Sequence, residues 1–174
     1  MSADTAGSNK PVVVIETSMG TIKAELWADE APKTVENFLS YTDEKFYDGL
    51  VFHRVIDGFM IQGGGMDTKM VQKRGHGPIE NEAKPALRNA RGTLAMARTS
   101  QINSATSQFF INLADNDFLD QKDRTERGFG YCAFGKVIEG MEVVAQIGKV
   151  GTGSSGGHQD VPTKPVEIKS IRRA

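Results

Sequence analysis

The sequence predicts a mainly β protein in which two helices cap a closed barrel or a sandwich. Short, strand-length apolar runs are separated by glycines and prolines along most of the chain. Only two segments show helical periodicity. The composition adds 19 glycines and nine phenylalanines among 174 residues, which is typical of tight turns and a Phe-lined interior or pocket. This length suits one domain, so residues 11–174 are predicted to form a single domain behind a flexible tail at residues 1–10.

Charge and cysteine content exclude several classes of function. The chain has 21 Lys and Arg against 22 Asp and Glu, which argues against nucleic acid or an anionic membrane as the main partner. Its single cysteine, Cys132, excludes an intrachain disulfide and fits a reducing compartment. No apolar run approaches the roughly 20 residues of a membrane span, and residues 1–10 lack the apolar stretch of a secretory signal. The expected location is therefore the cytoplasm.

The first 50 residues predict a hairpin followed by a helix. Residues 11–17 and 21–27 read as strands, with a turn signal at Ser18-Met-Gly20 between them. Alternation along the second strand places three side chains on one face: Ile22, Ala24 and Leu26. Asp29-Glu-Ala-Pro32 is typical of a helix start, with an acidic cap and a proline in the first turn. The spacing i, i+3, i+4, i+7 then marks an amphipathic stripe along the helix: Val35, Phe38, Leu39 and Thr42.

The rest of the chain predicts strands, one long loop and a second helix. Strand-length runs occur at 51–56, 59–62, 94–97, 108–113, 131–137 and 166–171. The polar stretch 66–91 is predicted to be a loop, and a loop of this length is usually functional or disordered. A short helix is expected after Gly140, and 151–157 is predicted to be a Gly/Ser loop.

The densest motif is residues 52–64. Alternation places Phe52, Arg54 and Ile56 on one face, so an arginine lies between two large apolar groups. Two interpretations stay open from the spacing. The arginine pairs with a carboxylate at a barrel end, or its guanidinium lies at the edge of an apolar pocket and recognises a carbonyl or amide. Strict alternation would also separate Phe59 from Met60.

A second apolar strand, residues 107–111, carries one amide side chain. Alternation places Gln108 and Phe110 on one face, which is either core or the wall of a pocket. The three glycines at 63–65 lack the lysine of a phosphate loop, so they are expected to permit a turn or a close backbone approach.

No metal or cofactor is predicted. The three histidines lie far apart in the sequence, and Glu80-Asn-Glu82 lacks the ligand spacing of a calcium loop and is predicted to be solvated. No nucleophile elbow occurs, and Cys132 in its strand-like run is expected to be a small buried side chain.

Five segments, in order, resemble the cyclophilins, a family of peptidyl-prolyl cis-trans isomerases. They are Phe52–Gly64, Gly92–Ala97, Ser107–Ile111, Asp117–Leu119 and Phe134–Val137 with Gly140-Met141. The resemblance runs from about residue 12 to 171, and the segments 130–134 and 157–162 are similar to the bacterial cytoplasmic branch. It implies a closed eight-stranded antiparallel β-barrel capped by two α-helices.

The resemblance also implies the site residues. Arg54 would be the catalytic group, and the proline-binding groove would comprise Phe59, Met60, Gln62, Ala97, Gln108, Phe110 and Leu119. For Phe59 and Met60 both to line it, the chain must bend near Gly58. Arg98 and Thr99 occupy positions at which family members contact substrate backbone, although many of them have Asn at the first position.

Two departures from the family pattern concern Phe118 and Tyr131. Many eukaryotic members have a tryptophan at the first position, whose indole N–H helps to bind the inhibitor cyclosporin, so weaker inhibition is expected here. Many have a histidine at the second. Tyrosine keeps an aromatic wall and one hydroxyl but does not titrate near neutral pH.

The implied partners are proline-containing peptides and unfolded or folding proteins, with cyclosporin as a weakened ligand and a monomer as the default state. Two alternatives remain. The protein is a chaperone or scaffold that holds proline segments without turnover, or a hydrolase that uses Ser and His. The retained Arg54 disfavours the first alternative, and the missing nucleophile elbow disfavours the second.

Overall fold

The computed structural model describes residues 10–174, so the predicted tail lies outside the described residues except for Lys10. These residues contain ten strands, two α-helices and one short 3-10 helix at Asp117–Leu119. The strands are β1 Val12–Thr17, β2 Gly20–Leu26, β3 Leu50–Ile56, β4 Met60–Asp67, β5 Thr93–Met96, β6 Phe109–Asn112, β7 Ala133–Glu139, β8 Thr152–Ser155, β9 His158–Pro162 and β10 Ile168–Arg173. The helices are α1 Pro32–Asp43 and α2 Met141–Gly148.

Eight of these strands form an antiparallel barrel in the order β10-β1-β2-β7-β5-β6-β4-β3. Its two edges meet where the Gly49 N–H donates to the Ile168 carbonyl over 2.9 Å and the Phe52 N–H donates to the Val166 carbonyl over 3.0 Å. Pairing of the first and last edges removes the exposed strand edge of an open sheet. The prediction of an eight-stranded antiparallel barrel with two helices is confirmed.

The barrel interior follows the alternation expected from the sequence. Ile22, Ala24 and Leu26 of β2 are fully buried, as predicted for the inward face of the first hairpin. The predicted stripe of α1 is also buried, and Phe38 packs its ring 5.3 Å from the centroids of Tyr47, Phe109 and Phe134. Aromatic contacts at this spacing join the helix to the barrel core.

The start of α1 differs from the prediction. Ala31 occupies the N-cap and provides no side-chain hydrogen bond, so the expected acidic cap from residues 29–30 is wrong. Instead, the Glu82 carboxylate accepts hydrogen bonds from the Lys33 N–H over 3.1 Å and the Thr34 N–H over 2.7 Å. A carboxylate at this position satisfies free N–H groups and favours the helix dipole. The 80–82 segment, predicted to be merely solvated, therefore caps a helix.

The prediction of a Gly/Ser loop at 151–157 is also wrong. Its residues form β8, which pairs with β9 as a separate two-stranded hairpin. Gly156 and Gly157 form the turn with φ of 59° and 82°, values that favour glycine. Short polar strands carry no hydrophobic alternation, so the sequence pattern does not distinguish such a hairpin from a loop.

Candidate functional site

One cavity of about 150 Å³ contains nine of the twelve residues that the sequence analysis assigned to the site. They are Arg54, Phe59, Met60, Gln62, Ala97, Arg98, Phe110, Leu119 and Tyr131. A wider groove of about 630 Å³ beside α1 contains none of them. Strands β3, β4 and β6, the 3-10 helix and the segments before β7 and after β5 therefore converge on one place.

The turn between β3 and β4 brings Phe59 and Met60 to the same cavity. Gly58 has a φ of 77°, a left-handed conformation that suits glycine, and β4 begins at Met60. Phe59 therefore belongs to the turn, and the alternation of β4 does not constrain it. The bend expected at Gly58 is present, and it resolves the conflict with strict alternation.

A bulge at His53 determines where Arg54 points. Phe52 pairs with Gly63 and Arg54 pairs with Gln62, so two steps along β3 match one step along β4. His53 is the extra residue, and it reverses the pleat between its neighbours. The shared face predicted for Phe52 and Arg54 is therefore wrong, because Phe52 is fully buried in the core and Arg54 is exposed at the cavity.

A chain of amide hydrogen bonds connects Arg54 to the sheet. Its guanidinium donates to Gln62 Oε1 over 3.4 Å, and Gln62 Nε2 donates to Gln108 Oε1 over 3.0 Å. The side-chain oxygen of Gln108 therefore accepts from Gln62, while its backbone carbonyl accepts from the Ala97 N–H over 3.0 Å. Because the Gln62 amino group is engaged by Gln108, its carbonyl oxygen is directed at the guanidinium. None of the ion pairs among residues 10–174 includes Arg54.

Gly65 makes room for this chain. A Cβ added at Gly65 would lie 2.5 Å from Gln108 Nε2 and 2.7 Å from its Cδ, so any side chain there would displace the glutamine. The predicted close approach at 63–65 is confirmed, and its purpose at Gly65 is to accommodate a polar side chain of the site.

The apolar part of the cavity consists of buried and half-buried side chains. Met60, Phe110 and Leu119 are at most 8% exposed. The Phe110 and Tyr131 rings meet edge to face at 5.8 Å. Such a wall excludes water from whatever enters, which strengthens polar contacts at its edge.

Phe118 and Thr99 lie beside the cavity. Phe118 is 65% exposed and stacks on Phe59 with a centroid distance of 5.6 Å. Thr99 lines a neighbouring cavity, which shares Arg98 and Tyr131 with the first. Its hydroxyl donates to Ser104 Oγ over 2.9 Å.

The Arg98 side chain binds the protein's own backbone. Its guanidinium donates to the carbonyls of five residues: Thr99, Ser100, Gln101, Glu126 and Gly130. It also lies over the Tyr131 ring, 4.9 Å from the centroid. Most of its N–H groups are therefore already engaged.

Three buried asparagines that were not predicted from the sequence support the site: Asn89, Asn112 and Asn116. Asn116 Nδ2 donates to the Phe59 carbonyl over 2.9 Å and to Asn112 Oδ1 over 2.7 Å. Asn89 Nδ2 donates to the Leu119 and Tyr131 carbonyls over 3.3 and 3.1 Å. This network holds the backbone of three cavity residues. Its only signal in the sequence is the recurrence of Asn near the Asp117-Phe-Leu segment.

Two titratable residues, His53 and Cys132, are chain neighbours of the cavity residues Arg54 and Tyr131, and both are buried. Burial, assisted by His158 and Arg54, lowers the pKa of His53 to about 4, so the ring is neutral at pH 7. Burial raises the pKa of Cys132 to about 12, and this thiol is a small buried group as expected. Within residues 10–174, no group of three or more His, Cys, Asp or Glu is arranged to hold a metal ion.

These features define a β-barrel with a small cavity that has an apolar wall, an exposed arginine at its edge and two supporting glutamines. The family model described as cyclophilin type peptidyl-prolyl cis-trans isomerase matches residues 12–173. The chain therefore belongs to the cyclophilin-type peptidyl-prolyl cis-trans isomerase family, and it is an enzyme of that type. The helices of the described part of the chain include none long and apolar enough to cross a membrane.

Relatives and solved structures agree with this assignment. The chain is 53% identical over 160 residues to peptidyl-prolyl cis-trans isomerase B of Escherichia coli, covering 92% of this chain and 98% of the relative. It is 56% identical over 160 residues to the isomerase cyp18 of Streptomyces antibioticus, covering 92% and 96%. A cyclophilin-type isomerase of Cryptosporidium parvum superposes with a TM-score of 0.77 at 30% identity, covering 95% and 98%. A structure of that isomerase in the presence of the dipeptide Ala-Pro gives a TM-score of 0.75 at 30% identity, covering 94% and 98%.

Proposed function

We propose that this chain catalyses rotation about X–Pro peptide bonds within the 150 Å³ cavity, with Arg54 as the catalytic group. The observation that carries the proposal is a cavity with one apolar wall beside a guanidinium that no carboxylate neutralises among the described residues. The proline ring would pack against Phe59, Met60, Phe110 and Leu119, and Tyr131 would complete the aromatic wall.

The chemistry needs one well-placed donor. A peptide bond resists rotation by roughly 18–20 kcal/mol because its C–N bond has partial double-bond character. At the twisted transition state that resonance is lost and the proline nitrogen regains a lone pair. Arg54 would donate a hydrogen bond to this nitrogen, or to the rotating carbonyl. Either contact is stronger in the transition state than in the planar amide, which is the condition for catalysis.

The two glutamines and the apolar wall support that donor. Gln62 accepts from Arg54 over 3.4 Å and is itself held by Gln108, so the guanidinium has a preferred orientation. A buried apolar wall holds the proline ring while the preceding residue turns. It also removes water, which otherwise stabilises the charge-separated planar amide.

The test is an exchange measurement on a short X–Pro peptide. Added enzyme should interconvert the cis and trans NMR signals of the peptide far faster than the uncatalysed process, which takes tens to hundreds of seconds. Excess cyclosporin should suppress this exchange. Unchanged exchange in the presence of folded protein that binds the peptide would contradict catalysis and favour a holding module.

The substrates in the cell would be proline-containing segments of unfolded and folding proteins. Uncatalysed proline isomerisation is slow enough to limit folding, so such chains are where acceleration matters most. Ala97, Thr99 and Arg98 line the region where the flanking substrate backbone would run. The similarity to the Cryptosporidium parvum isomerase, whose structure was also determined in the presence of the dipeptide Ala-Pro, supports this substrate class.

Cyclosporin would bind this protein with reduced affinity because the Phe118 side chain has no N–H group to donate, unlike the indole of a tryptophan. Phe118 is 65% exposed and stacked on Phe59, so a larger ring fits there without entering the core. Phe118→Trp should therefore tighten inhibition by cyclosporin, with kcat/KM on the peptide little changed. An unchanged inhibition constant in that variant would contradict this explanation.

The protein would act as a monomer in the cytoplasm. Its single cysteine is free and buried, which suits a reducing compartment. Within residues 10–174, the large apolar side chains that are exposed are Val71, Phe118 and Ile138, which belong to three different elements. Light scattering during gel filtration would report the mass. A dimer at micromolar concentration would contradict the monomer.

A further inference from the structure

The side chain of Arg98 bridges two segments that border the proposed proline site. On one side its Nη1 donates to the carbonyls of residues 99–101 over 2.9 to 3.4 Å. On the other side its Nε donates to the Gly130 carbonyl over 3.0 Å, and its Nη2 donates to the Glu126 carbonyl over 3.1 Å. The planar fork of an arginine suits this arrangement, since several fixed donors meet several fixed carbonyls at once.

The second of these segments is the connection 120–130, which ends at Tyr131. Its ordered interior depends on its own turns, with the Phe129 N–H bonded to the Thr125 carbonyl over 2.8 Å. Most of its side chains are exposed, from Lys122 to Arg127. Few buried apolar contacts therefore hold this loop, and its bonds to the rest of the protein carry much of its order.

Tyr131 is placed by the same contacts. Its N–H donates to the Leu119 carbonyl over 2.9 Å, and the preceding carbonyl, that of Gly130, accepts from both Arg98 and Asn81. The guanidinium also covers the Tyr131 ring at 4.9 Å, while the ring edge meets Phe110. Arg98 thus fixes both the backbone and the face of this wall residue.

We propose that Arg98 is a positioning residue, which keeps the 120–130 loop and the Tyr131 ring in the substrate-binding arrangement. This inference rests on the proposed function, because the cavity that Tyr131 borders is the proposed proline site. Arg98 acts through Tyr131, and its donors remain bound to the protein's own carbonyls. Loss of the Arg98 side chain lowers the fraction of molecules whose cavity can bind the peptide. Molecules that have bound the peptide turn it over at the normal rate.

The experiment compares three variants of the full chain on one X–Pro peptide. Arg98→Ala should raise KM, and the peptide Kd from NMR titration, by about fivefold with kcat within about twofold, because only the binding-competent fraction changes. Arg98→Lys keeps the charge but not the fork, so it should resemble Arg98→Ala. Arg127→Ala removes a charge from the same loop without touching any of these hydrogen bonds, and it should behave as the unmodified protein.

Amide hydrogen exchange provides the second readout. In Arg98→Ala the amides of Phe129 and Tyr131 should exchange faster, while those of β2 and β6 keep their protection. A KM and Kd equal to those of the unmodified protein would overturn the inference. So would a loss confined to kcat, full recovery by Arg98→Lys, or faster exchange throughout the barrel. If the unmodified protein binds the peptide but does not turn it over, the proposed function fails, and the Kd and exchange comparisons still decide the role of Arg98.

Discussion

At the scale of single residues, Gly65 leaves the space that the Gln108 side chain needs beside the proposed catalytic group. A side chain at this position would overlap Gln108, which holds Gln62, which in turn accepts a hydrogen bond from Arg54. The guanidinium is therefore connected to a glycine on β4 through two amides. Only two hydrogen bonds, of 3.4 and 3.0 Å, separate the guanidinium from Gln108, so a displaced Gln108 would leave Gln62 without its partner.

Gly65→Ala should lower kcat/KM by about tenfold, because catalytic donors lose effect when they are displaced by a fraction of an ångström to an ångström. Its cost in stability should be small, since the overlapping group is a flexible side chain that can swing away. Turnover and urea unfolding measure the two effects separately. Gly77→Ala is the matched control, because a Cβ at Gly77 meets nothing within 4 Å. Equal turnover in both variants would show that the amide chain does not support Arg54.

The family resemblance names most of these residues and suggests that the two glutamines orient Arg54 or a substrate carbonyl, and the structure adds the order of the hydrogen bonds, from Arg54 to Gln62 to Gln108. Arg54, Gln62 and Gln108 are recognisable from the resemblance, and nine of the predicted site residues share one cavity. The face of Arg54 was mispredicted because a bulge at His53 reverses the pleat, and a single sequence with ordinary alternation gives no sign of it. The asparagine network could not be predicted because the sequence does not show which asparagine side chains are buried and which are exposed.

At the scale of elements, α1 depends on a residue 48 positions later in the chain. Its own N-cap is Ala31, and the Glu82 carboxylate binds the N–H groups of Lys33 and Thr34 in its place. The long polar loop 68–92 thus has a structural role at this point. Local patterns predict that a helix begins here, but a cap supplied from a distant loop depends on the tertiary fold.

Glu82→Ala should reduce the free energy of unfolding by about 1–2 kcal/mol, the usual cost of losing a helix cap with its favourable charge. Glu80→Ala is the control on the same loop. Glu80 pairs with Lys33 at the exposed surface, and such pairs contribute roughly 0–1 kcal/mol. Urea unfolding of both variants gives the comparison. An equal loss for the two substitutions would mean that Glu82 acts only as a surface charge.

At the scale of the whole molecule, the barrel could be predicted from the sequence, but the burial of His53 could not. Short strands and two amphipathic helices predict a capped barrel or a sandwich, and the family resemblance implies the eight-stranded barrel, which the observed order β10-β1-β2-β7-β5-β6-β4-β3 confirms. The bulge, however, buries His53 to 6% exposure and leaves its Nδ1 without a partner among the described residues. A buried neutral histidine couples protonation to the stability of the entire fold.

Stability should decline as the pH falls from about 6.5 to about 4. Below its ordinary pKa of 6.5, His53 takes up a proton in the unfolded chain but not in the folded protein, where its pKa is about 4. Unfolding is therefore favoured by about 2 kcal/mol at pH 5 relative to pH 7.5. Urea unfolding at the two pH values measures this difference.

Substitution isolates the contribution of this histidine. His53→Gln should remove most of the loss between pH 7.5 and 5, even where the substitution lowers stability at both values. His158→Gln should keep most of it, because His158 is exposed. If His53→Gln shows the same pH dependence as the unmodified protein, the loss belongs to other groups.

The central claim is that Arg54 stabilises the twisted amide, and Arg54→Ala tests it most directly. The measurement pairs kcat/KM on an X–Pro peptide with the peptide Kd from NMR titration. Turnover should fall by about 100-fold or more while Kd changes by less than about threefold, since the contact forms mainly in the transition state. Arg54→Lys, which keeps one donor, should recover part of the loss. Near-normal turnover in Arg54→Ala would contradict the account.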